Sequence, residues 1–190
     1  MFTDPILQKL VKKYPAPKFE DRSDFLMREL IEHVVSQQLS VKAADTIFAR
    51  FVSLFKNGDF PTAKEILEME DEKIRSAGIS FAKITYIKSV ADAFVSDLID
   101  IEKIRKQSDE EVMEELTQIK GIGQWTAEMI LISTLKRPDV FSIGDLGLRN
   151  AITKLYGITD RKDMLRLSET WSPHRSTACW YLWRSLENKD

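Results

Sequence analysis

The sequence is poor in the residues that build disulfides and metal clusters. It has one cysteine, Cys179, and two histidines, His33 and His174. A single cysteine excludes an internal disulfide and any iron–sulfur cluster or zinc site that needs several thiolates. Two histidines do not supply a zinc cluster either. We therefore expect a protein that works without a cofactor or a catalytic metal.

Long apolar runs and a strong excess of one charge are also missing. No run reaches the ~18 residues of a membrane span, and no secretory pattern opens the chain. We expect an intracellular protein, in the cytoplasm with the nucleoid or in a nucleus. The formal charge of −2 argues against a nucleic-acid binder with a wholly basic surface. A local patch can still differ in sign from the average.

Alternating strand patterns are absent, and the apolar spacing is helical almost everywhere. Ser23 and Ser40 precede two amphipathic stretches and are predicted as N-caps. Ser108 and Glu111 have the spacing of a capping box, which predicts a helix that runs to about Gln118. Further helices are predicted over 63–68, 71–77, 148–156, 162–167 and 174–186. The sequence therefore predicts an all-α fold.

Two glycines stand close together in "IKGIGQWTAEMILISTLKRPDVFSIGD", Ile119–Asp145. Gly121 and Gly123 join the helix that ends near Gln118 to one that begins near Gln124, which predicts a sharp helix–turn–helix joint. The amides that open the second helix form an anion site without any lysine. An ordinary αα-hairpin with a glycine turn remains the alternative.

A lone carboxylate, Asp145, ends the same stretch. An aspartate after a glycine is a common N-cap, and Asp145 directly precedes a predicted helix. Taken alone, a cap is the simpler interpretation of Asp145. It leaves room for a chemical role as well, because a helix terminus can orient a carboxylate.

The hairpin and the aspartate carry a resemblance to a known family. "LTQIKGIGQWTA" resembles the helix-hairpin-helix motif of base-excision DNA glycosylases, and "RPDVFSIGD" resembles their Gly/Pro-rich loop that ends in an aspartate. Three further segments are similar to the alkylation-repair branch, DNA-3-methyladenine glycosylase II: "HVVSQQLSVKAADTIFARF", "IRSAGISFAKITYIKSVA" and "WSPHRSTACWYLWR". The resemblance covers roughly residues 23–186.

The resemblance implies one HhH-GPD domain over residues 1–190, built from two helical lobes with an active-site cleft between them. One lobe is expected at about 35–120 and the other at 1–34 plus 121–190. Asp145 would be the catalytic residue. Trp125 stands where strand-cutting relatives carry a lysine, so the implied activity is base removal without a lyase step.

The resemblance also assigns residues to the base pocket and to DNA. The base pocket would contain Trp125, Met129, His174 and Gln37. Contacts to DNA would come from Gln38, Leu39, Ser40, Gly121, Ile122, Gly123, Gln124, Thr126, Arg175 and Ser176. Either Gln38 or Leu39 would fill the space left by the flipped base. The expected partner is double-stranded DNA that contains damaged bases, bound by a monomer.

Several alternatives stay open on sequence alone. A non-catalytic helix-hairpin-helix module would keep the glycines but would need neither Asp145 nor an aromatic pocket. A related glycosylase for oxidised or mismatched bases differs mainly in its pocket walls. His174 also suits a simple helix start, and Arg175 also suits the surface. Trp180 and Trp183 are at helical spacing and are assigned to the core.

Overall fold

The structure, a computed structural model, describes residues 2–56 and 59–187, and this part of the chain holds helices and no strand. The prediction of an all-α fold is confirmed. None of the described helices is both long and apolar enough to cross a membrane. The α-helices are α1 (Pro5–Lys13), α2 (Leu26–Ser36), α3 (Val41–Ser53), α4 (Ala63–Glu68), α5 (Asp71–Ser76), α6 (Phe81–Val95), α7 (Ile101–Ile104), α8 (Asp109–Gln118), α9 (Gln124–Ser133), α10 (Leu146–Tyr156), α11 (Arg161–Glu169) and α12 (Arg175–Glu187).

Most of the predicted helix starts are confirmed by their caps. Ser40 accepts a hydrogen bond from the third amide of α3, and Ser108 forms a capping box with Glu111 at the start of α8. Ser23 is not the cap of α2, so that prediction is wrong. It begins a short 3-10 helix (Ser23–Phe25), is buried, and accepts a hydrogen bond from Arg105 Nε over 2.8 Å.

The N-terminal helix α1 is not among the predicted helices, although its first residues carry the signals of a helix start. Asp4 caps α1 by accepting hydrogen bonds from two backbone amides of its first turn. Pro5 occupies the first helical position, where its missing N–H costs nothing. Leu7 and Leu10 are buried on one face, so tertiary packing adds to these local signals.

The residues Arg22–Ile130 form one compact unit. Helix α6 is its centre, since α2, α4 and α5 all pack against it, and α3 packs on α2. The core side chains are completely buried and include Leu30, Ile31, Val34, Ile84 and Ile87. This unit begins at Arg22 rather than near residue 35, because α2 packs on α3 and α6.

The second compact unit combines Met1–Asp21 with Leu131–Asp190. Helix α12 packs against α10 and α1. The core of this unit contains large apolar side chains from all three helices and from the segment before α12, among them Leu7, Leu148, Ile152, Trp171, Tyr181 and Leu182. The two segments are far apart in sequence, and this shared core joins them.

Candidate active site

Asp145 is the N-cap of α10 and is held in place through one carboxylate oxygen. Its Oδ1 accepts a hydrogen bond from the Leu148 amide over 2.7 Å and a second from Trp183 Nε1 over 2.9 Å. The side chain is half-buried. Asp145 is therefore a cap, as the first interpretation held, and it is also a fixed carboxylate of the kind that catalysis requires.

Trp183 was assigned to the core, and that assignment is incomplete. The side chain does pack against the core of its unit, but it is only partly buried, and its indole N–H is used by Asp145. Gly147 makes this contact possible. A Cβ at Gly147 would lie 3.1 Å from Asp145 Oδ1 and 3.3 Å from Trp183 Cδ1. Trp183 lies 38 positions from Asp145, so no local pattern links them. Gly147 is close in sequence to Asp145, but it has no side chain that would indicate a contact with the carboxylate.

The loop that leads to Asp145, Arg137–Gly144, is held by the start of α12. Asp139 accepts hydrogen bonds from Arg175 Nε at 2.9 Å, from Arg175 Nη2 at 3.0 Å and from the Arg175 amide at 3.1 Å. Ser172 also donates to Asp139 over 2.8 Å. Partial burial opposes ionisation of Asp139, but the hydrogen bonds from Arg175 and Ser172 outweigh it and lower the pKa of this carboxyl.

Ser176 fixes the same loop through its backbone and its hydroxyl. The hydroxyl donates to the Arg137 carbonyl over 2.6 Å and accepts from the Val140 amide over 3.0 Å. Ser176 is buried, so its hydroxyl is engaged with the loop, and the expected contact of Ser176 with DNA stays a prediction. Arg175 faces Asp139 in a two-point ion pair, which braces the loop. The expected contact of Arg175 with DNA stays a prediction.

The end of the loop next to Asp145 is held by α10 itself. Arg149 Nη1 donates to the carbonyls of Ile143 and Gly144, over 3.0 and 2.8 Å. The Asp145 amide donates to the Ser142 carbonyl over 3.1 Å, which closes a tight turn. Restraints at both ends of the loop therefore fix the position of the Asp145 backbone.

The hairpin turn, Gly121–Gly123, joins α8 to α9, as the sequence predicts. The two glycines serve different purposes. Gly121 has a φ of +96°, and a Cβ there would lie 2.2 Å from Cγ of Tyr86, so only glycine fits. Gly123 has no positive φ and would place a Cβ in open space. Nothing within the described structure requires glycine at position 123.

The side chains around the hairpin turn divide into buried and exposed groups. Ile122 and Thr126 are buried, so they can reach a ligand only through the backbone. Gln124 and Trp125 are exposed at the start of α9, where the first amides of a helix lack an intrahelical acceptor. Met129 is buried one turn further along.

Trp125 keeps 39% of its surface exposed although it lies in an otherwise apolar helix. The ring of His33 packs edge-on against it, with the ring centroids 6.1 Å apart. Burial lowers the pKa of His33, which keeps this imidazole neutral at neutral pH. The neutral ring of His33 therefore adds no positive charge beside the Trp125 indole.

The α2–α3 loop, Gln37–Ser40, contains three exposed residues, Gln38, Leu39 and Ser40. Gln38 has a φ of +58°, a rare conformation for a residue with a side chain. Gln37, which is expected in the base pocket, donates from its Nε2 to the Gly121 carbonyl over 3.2 Å. The structure therefore brings the α2–α3 loop and the hairpin turn together.

His174 and Cys179 complete the set of residues named from sequence. His174 is exposed just before α12, with its ring edge-on to Phe2 at 6.3 Å. Cys179 is fully buried, and burial raises the pKa of its thiol, which suits a core residue rather than a nucleophile. Among the described residues no group of three or more His, Cys, Asp or Glu is arranged to hold a metal ion.

Comparison with known proteins identifies the family and the fold. The family profile described as "HhH-GPD superfamily base excision DNA repair protein" matches residues 31–174. The chain is 44% identical to DNA-3-methyladenine glycosylase 1 of Schizosaccharomyces pombe over 97% of its own length and 82% of that protein. It is 37% identical to the DNA-3-methyladenine glycosylase of Saccharomyces cerevisiae, over 85% of this chain and 66% of that one.

Solved structures show the same similarity. The 3-methyladenine DNA glycosylase of Schizosaccharomyces pombe in complex with abasic DNA superposes with a TM-score of 0.88 at 41% identity, over 98% of this chain and 94% of that one. A DNA-3-methyladenine glycosidase from Bacillus halodurans gives 0.83 at 34% identity, over 97% and 86%. The resemblance predicted from sequence is confirmed, and the chain belongs to the HhH-GPD superfamily of base excision DNA repair proteins.

Proposed function

We propose that this protein is a monofunctional DNA glycosylase that removes alkylated purines, of the 3-methyladenine type, from duplex DNA. The observation that carries the proposal is the half-buried carboxylate of Asp145, fixed by Trp183 and the start of α10. The named activities of the relatives and the abasic DNA bound by the S. pombe enzyme support it.

The chemistry suits a single fixed acid. A purine alkylated on a ring nitrogen carries positive charge and is already a good leaving group. Its glycosidic bond breaks through an oxocarbenium-like transition state. A carboxylate beside the sugar stabilises this developing charge and orients or deprotonates the attacking water. The Asp145 side chain needs little reorganisation for this role, because its Oδ1 already accepts hydrogen bonds from two donors.

The residue at position 125 determines the expected product. Strand-cutting glycosylases use a lysine as a nucleophile toward the sugar, and this chain has Trp125 at the matching position. An exposed indole can instead stack on a cationic base, an interaction worth about 2 kcal/mol when desolvated. Hydrolysis by water then leaves an intact strand with an abasic site.

The grip on DNA is proposed to come from the hairpin turn and the start of α9. Helix N-termini bind phosphate through their amides and the helix dipole. A bare backbone at Gly123 allows a phosphate to approach closely, which explains a glycine that no contact among the described residues requires. Such a grip adds no formal charge and fits a chain with a net charge of −2. We propose that the protein binds damaged duplexes as a monomer.

The test uses duplexes that each carry one defined lesion: 3-methyladenine, 7-methylguanine, ethenoadenine, 8-oxoguanine or a mismatch. Free base is measured directly, and strand nicking is scored with and without alkali. We expect release of the alkylated purines, with nicks only after alkali. Preferential release of 8-oxoguanine or of a mismatched base would support the related glycosylase class instead.

Asp145→Asn is the matched variant for this assay. The asparagine Oδ1 can still accept from Trp183 and from the Leu148 amide, so the fold and the cap should be retained. We expect base release to fall by at least about a thousandfold while duplex affinity stays within about twofold. Base release at the same rate by Asp145→Asn and by the unaltered protein would show that Asp145 is not the catalytic residue. Binding without base release by the unaltered protein would favour a non-catalytic module.

A further inference from the structure

Two residues of helix α6, Lys83 and Tyr86, lie one helical turn apart. Lys83 contacts the α2–α3 loop and Tyr86 contacts the hairpin turn. Lys83 Nζ donates to the carbonyls of Val35 and Gln37, each over 2.8 Å. These carbonyls lie at the C-terminus of α2, where a cation also complements the helix dipole. Lys83 therefore holds the point at which the chain leaves α2 and enters the α2–α3 loop.

The second of these residues, Tyr86, faces the hairpin turn. Positions i and i+3 share a helix face, and the Tyr86 ring fills the space that a side chain at Gly121 would need. Gln37 closes the arrangement, because its Nε2 donates to the Gly121 carbonyl over 3.2 Å. The α2–α3 loop, the hairpin turn and α6 are thus connected pairwise by Lys83, Tyr86 and Gln37.

The conformation of the loop shows why such a restraint is needed. Gln38 has a φ of +58°, and a non-glycine residue keeps this unfavourable conformation only where its surroundings enforce it. Lys83 grips the carbonyl of Gln37, the peptide group that immediately precedes Gln38. The exposed side chains of Gln38 and Leu39 follow from that fixed point.

We propose that Lys83 is a positioning residue, which holds the α2–α3 loop in register with the hairpin turn so that both segments meet the same stretch of DNA. This role rests on the proposed function, because it assigns the loop to the space left by the flipped base. Lys83 itself acts through the backbone of the loop and does not touch the reacting atoms. Without this restraint the protein would still bind phosphate through the hairpin turn. The α2–α3 loop, however, would insert poorly into the duplex.

The structural half of the proposal is tested without DNA, by hydrogen exchange. Lys83→Met keeps the aliphatic stem and removes the donors. We expect amide exchange in residues 36–40 to rise at least about tenfold. The control is Lys88→Met, which removes the same charge from the same helix but breaks an ion pair with Asp71 instead. Unchanged exchange in the loop of Lys83→Met would overturn the proposal.

The functional half is tested by a double-mutant cycle with Gln38→Ala. We expect Lys83→Met to lower kcat/KM for base release by about tenfold, and Lys83→Arg, which keeps a cationic donor, to restore it to within about threefold. Gln38→Ala should cost much less in the Lys83→Met background than in the unaltered protein. Additive losses, or an equal loss in Lys88→Met, would contradict the proposed role.

The two experiments also distinguish a failure of this proposal from a failure of the proposed function. If the unaltered protein released no base from any lesion duplex, the glycosylase proposal would fail. The exchange experiment would still decide whether Lys83 holds the loop. If base is released and the exchange is unchanged, the glycosylase proposal stands and the positioning role is wrong.

Discussion

The indole N–H of Trp183 donates a hydrogen bond to Oδ1 of Asp145 over 2.9 Å, across 38 residues of sequence. The same oxygen accepts from the Leu148 amide, so one carboxylate oxygen has two fixed donors. This arrangement sets the direction of the carboxylate independently of any substrate. The proposed chemistry depends on that direction more than on the presence of an acid alone.

Removing the indole donor should therefore slow base release. Trp183→Phe keeps an aromatic ring and removes the N–H, and a hydrogen bond to a charged group is worth about 2 kcal/mol. We expect kcat for base release to fall by at least about tenfold, with duplex affinity unchanged. Trp180→Phe, the same substitution on the same helix, packs against Tyr181 and should leave kcat within about twofold. Equal kcat values for the two variants would contradict the orienting role.

Gly147→Ala tests the space around the same contact. The new methyl group would lie 3.1 Å from Asp145 Oδ1 and 3.3 Å from Trp183 Cδ1, closer than atoms pack comfortably. Alanine is favoured over glycine in a helix by about 1 kcal/mol, so the thermal midpoint should change little. We expect kcat to fall by about tenfold in a protein that remains folded by circular dichroism. An unchanged kcat would show that base release does not depend on the exact position of the Asp145 carboxylate.

The two glycines of the hairpin turn should differ in how much substitution destabilises the protein. Gly121→Ala places a methyl group against the Tyr86 ring at a φ of +96°, so it should destabilise the protein by about 2 kcal/mol or more, measured by urea unfolding. Gly123→Ala should leave the free energy of unfolding within about 0.5 kcal/mol. A marked loss of stability in Gly123→Ala would show an intramolecular role for Gly123.

Gly123→Asp then tests the grip on DNA in a turn that still folds. A carboxylate at this position repels phosphate, so affinity for damaged and undamaged duplexes should fall alike, by about tenfold at low salt. Fluorescence anisotropy at several salt concentrations measures this effect. The unaltered protein should show a shallower salt dependence than a lysine-rich binder. Normal affinity of Gly123→Asp would place the hairpin turn outside the interface.

Asp139 should make the stability of the protein sensitive to acid. Its pKa is lower in the folded chain than in the unfolded chain, so its contribution is present above the unfolded pKa of about 3.9. It is lost as the pH falls through the lower folded pKa. Asp139→Asn should cost about 1 kcal/mol at neutral pH and converge with the unaltered protein in strong acid.

The control for this experiment is Asp163→Asn, because the exposed pair of Asp163 with Arg166 is open to solvent. It should not change the free energy of unfolding or its pH dependence, both measured by urea unfolding from pH 2 to pH 7. A parallel pH dependence for Asp139→Asn and the unaltered protein would contradict the assigned role of the ion pair with Arg175.

Local chemistry explains which parts of the fold could be predicted from sequence. The capping box of Ser108 and the turn at Gly121 are encoded within a few residues, and both are confirmed. Ser23 has the composition of a cap but is buried against Arg105, because tertiary contacts override a local preference. Helix α1 has an aspartate cap and a proline at its first position, so its sequence does contain a helix signal, and packing against α12 also stabilises it.

The candidate site was predictable only where its residues lie in one motif. Asp145 and Trp125 are close in sequence to the hairpin turn, and the family pattern identified them. Trp183 and Lys83 act on residues more than 35 positions away, over hydrogen bonds of 2.9 and 2.8 Å. Neither periodicity nor spacing indicates pairs so far apart in sequence. From sequence alone, Trp183 therefore looks like a core residue and Lys83 like a surface residue.

The complete burial of Cys179 has a practical consequence. Because it is also the single cysteine of the sequence, thiol reagents should leave the native protein unmodified. A cysteine introduced at Leu39 or at Gln124 would then react alone. Fluorophores or spin labels at those two positions would report the separation of the α2–α3 loop and the hairpin turn in solution, without any prior removal of native thiols.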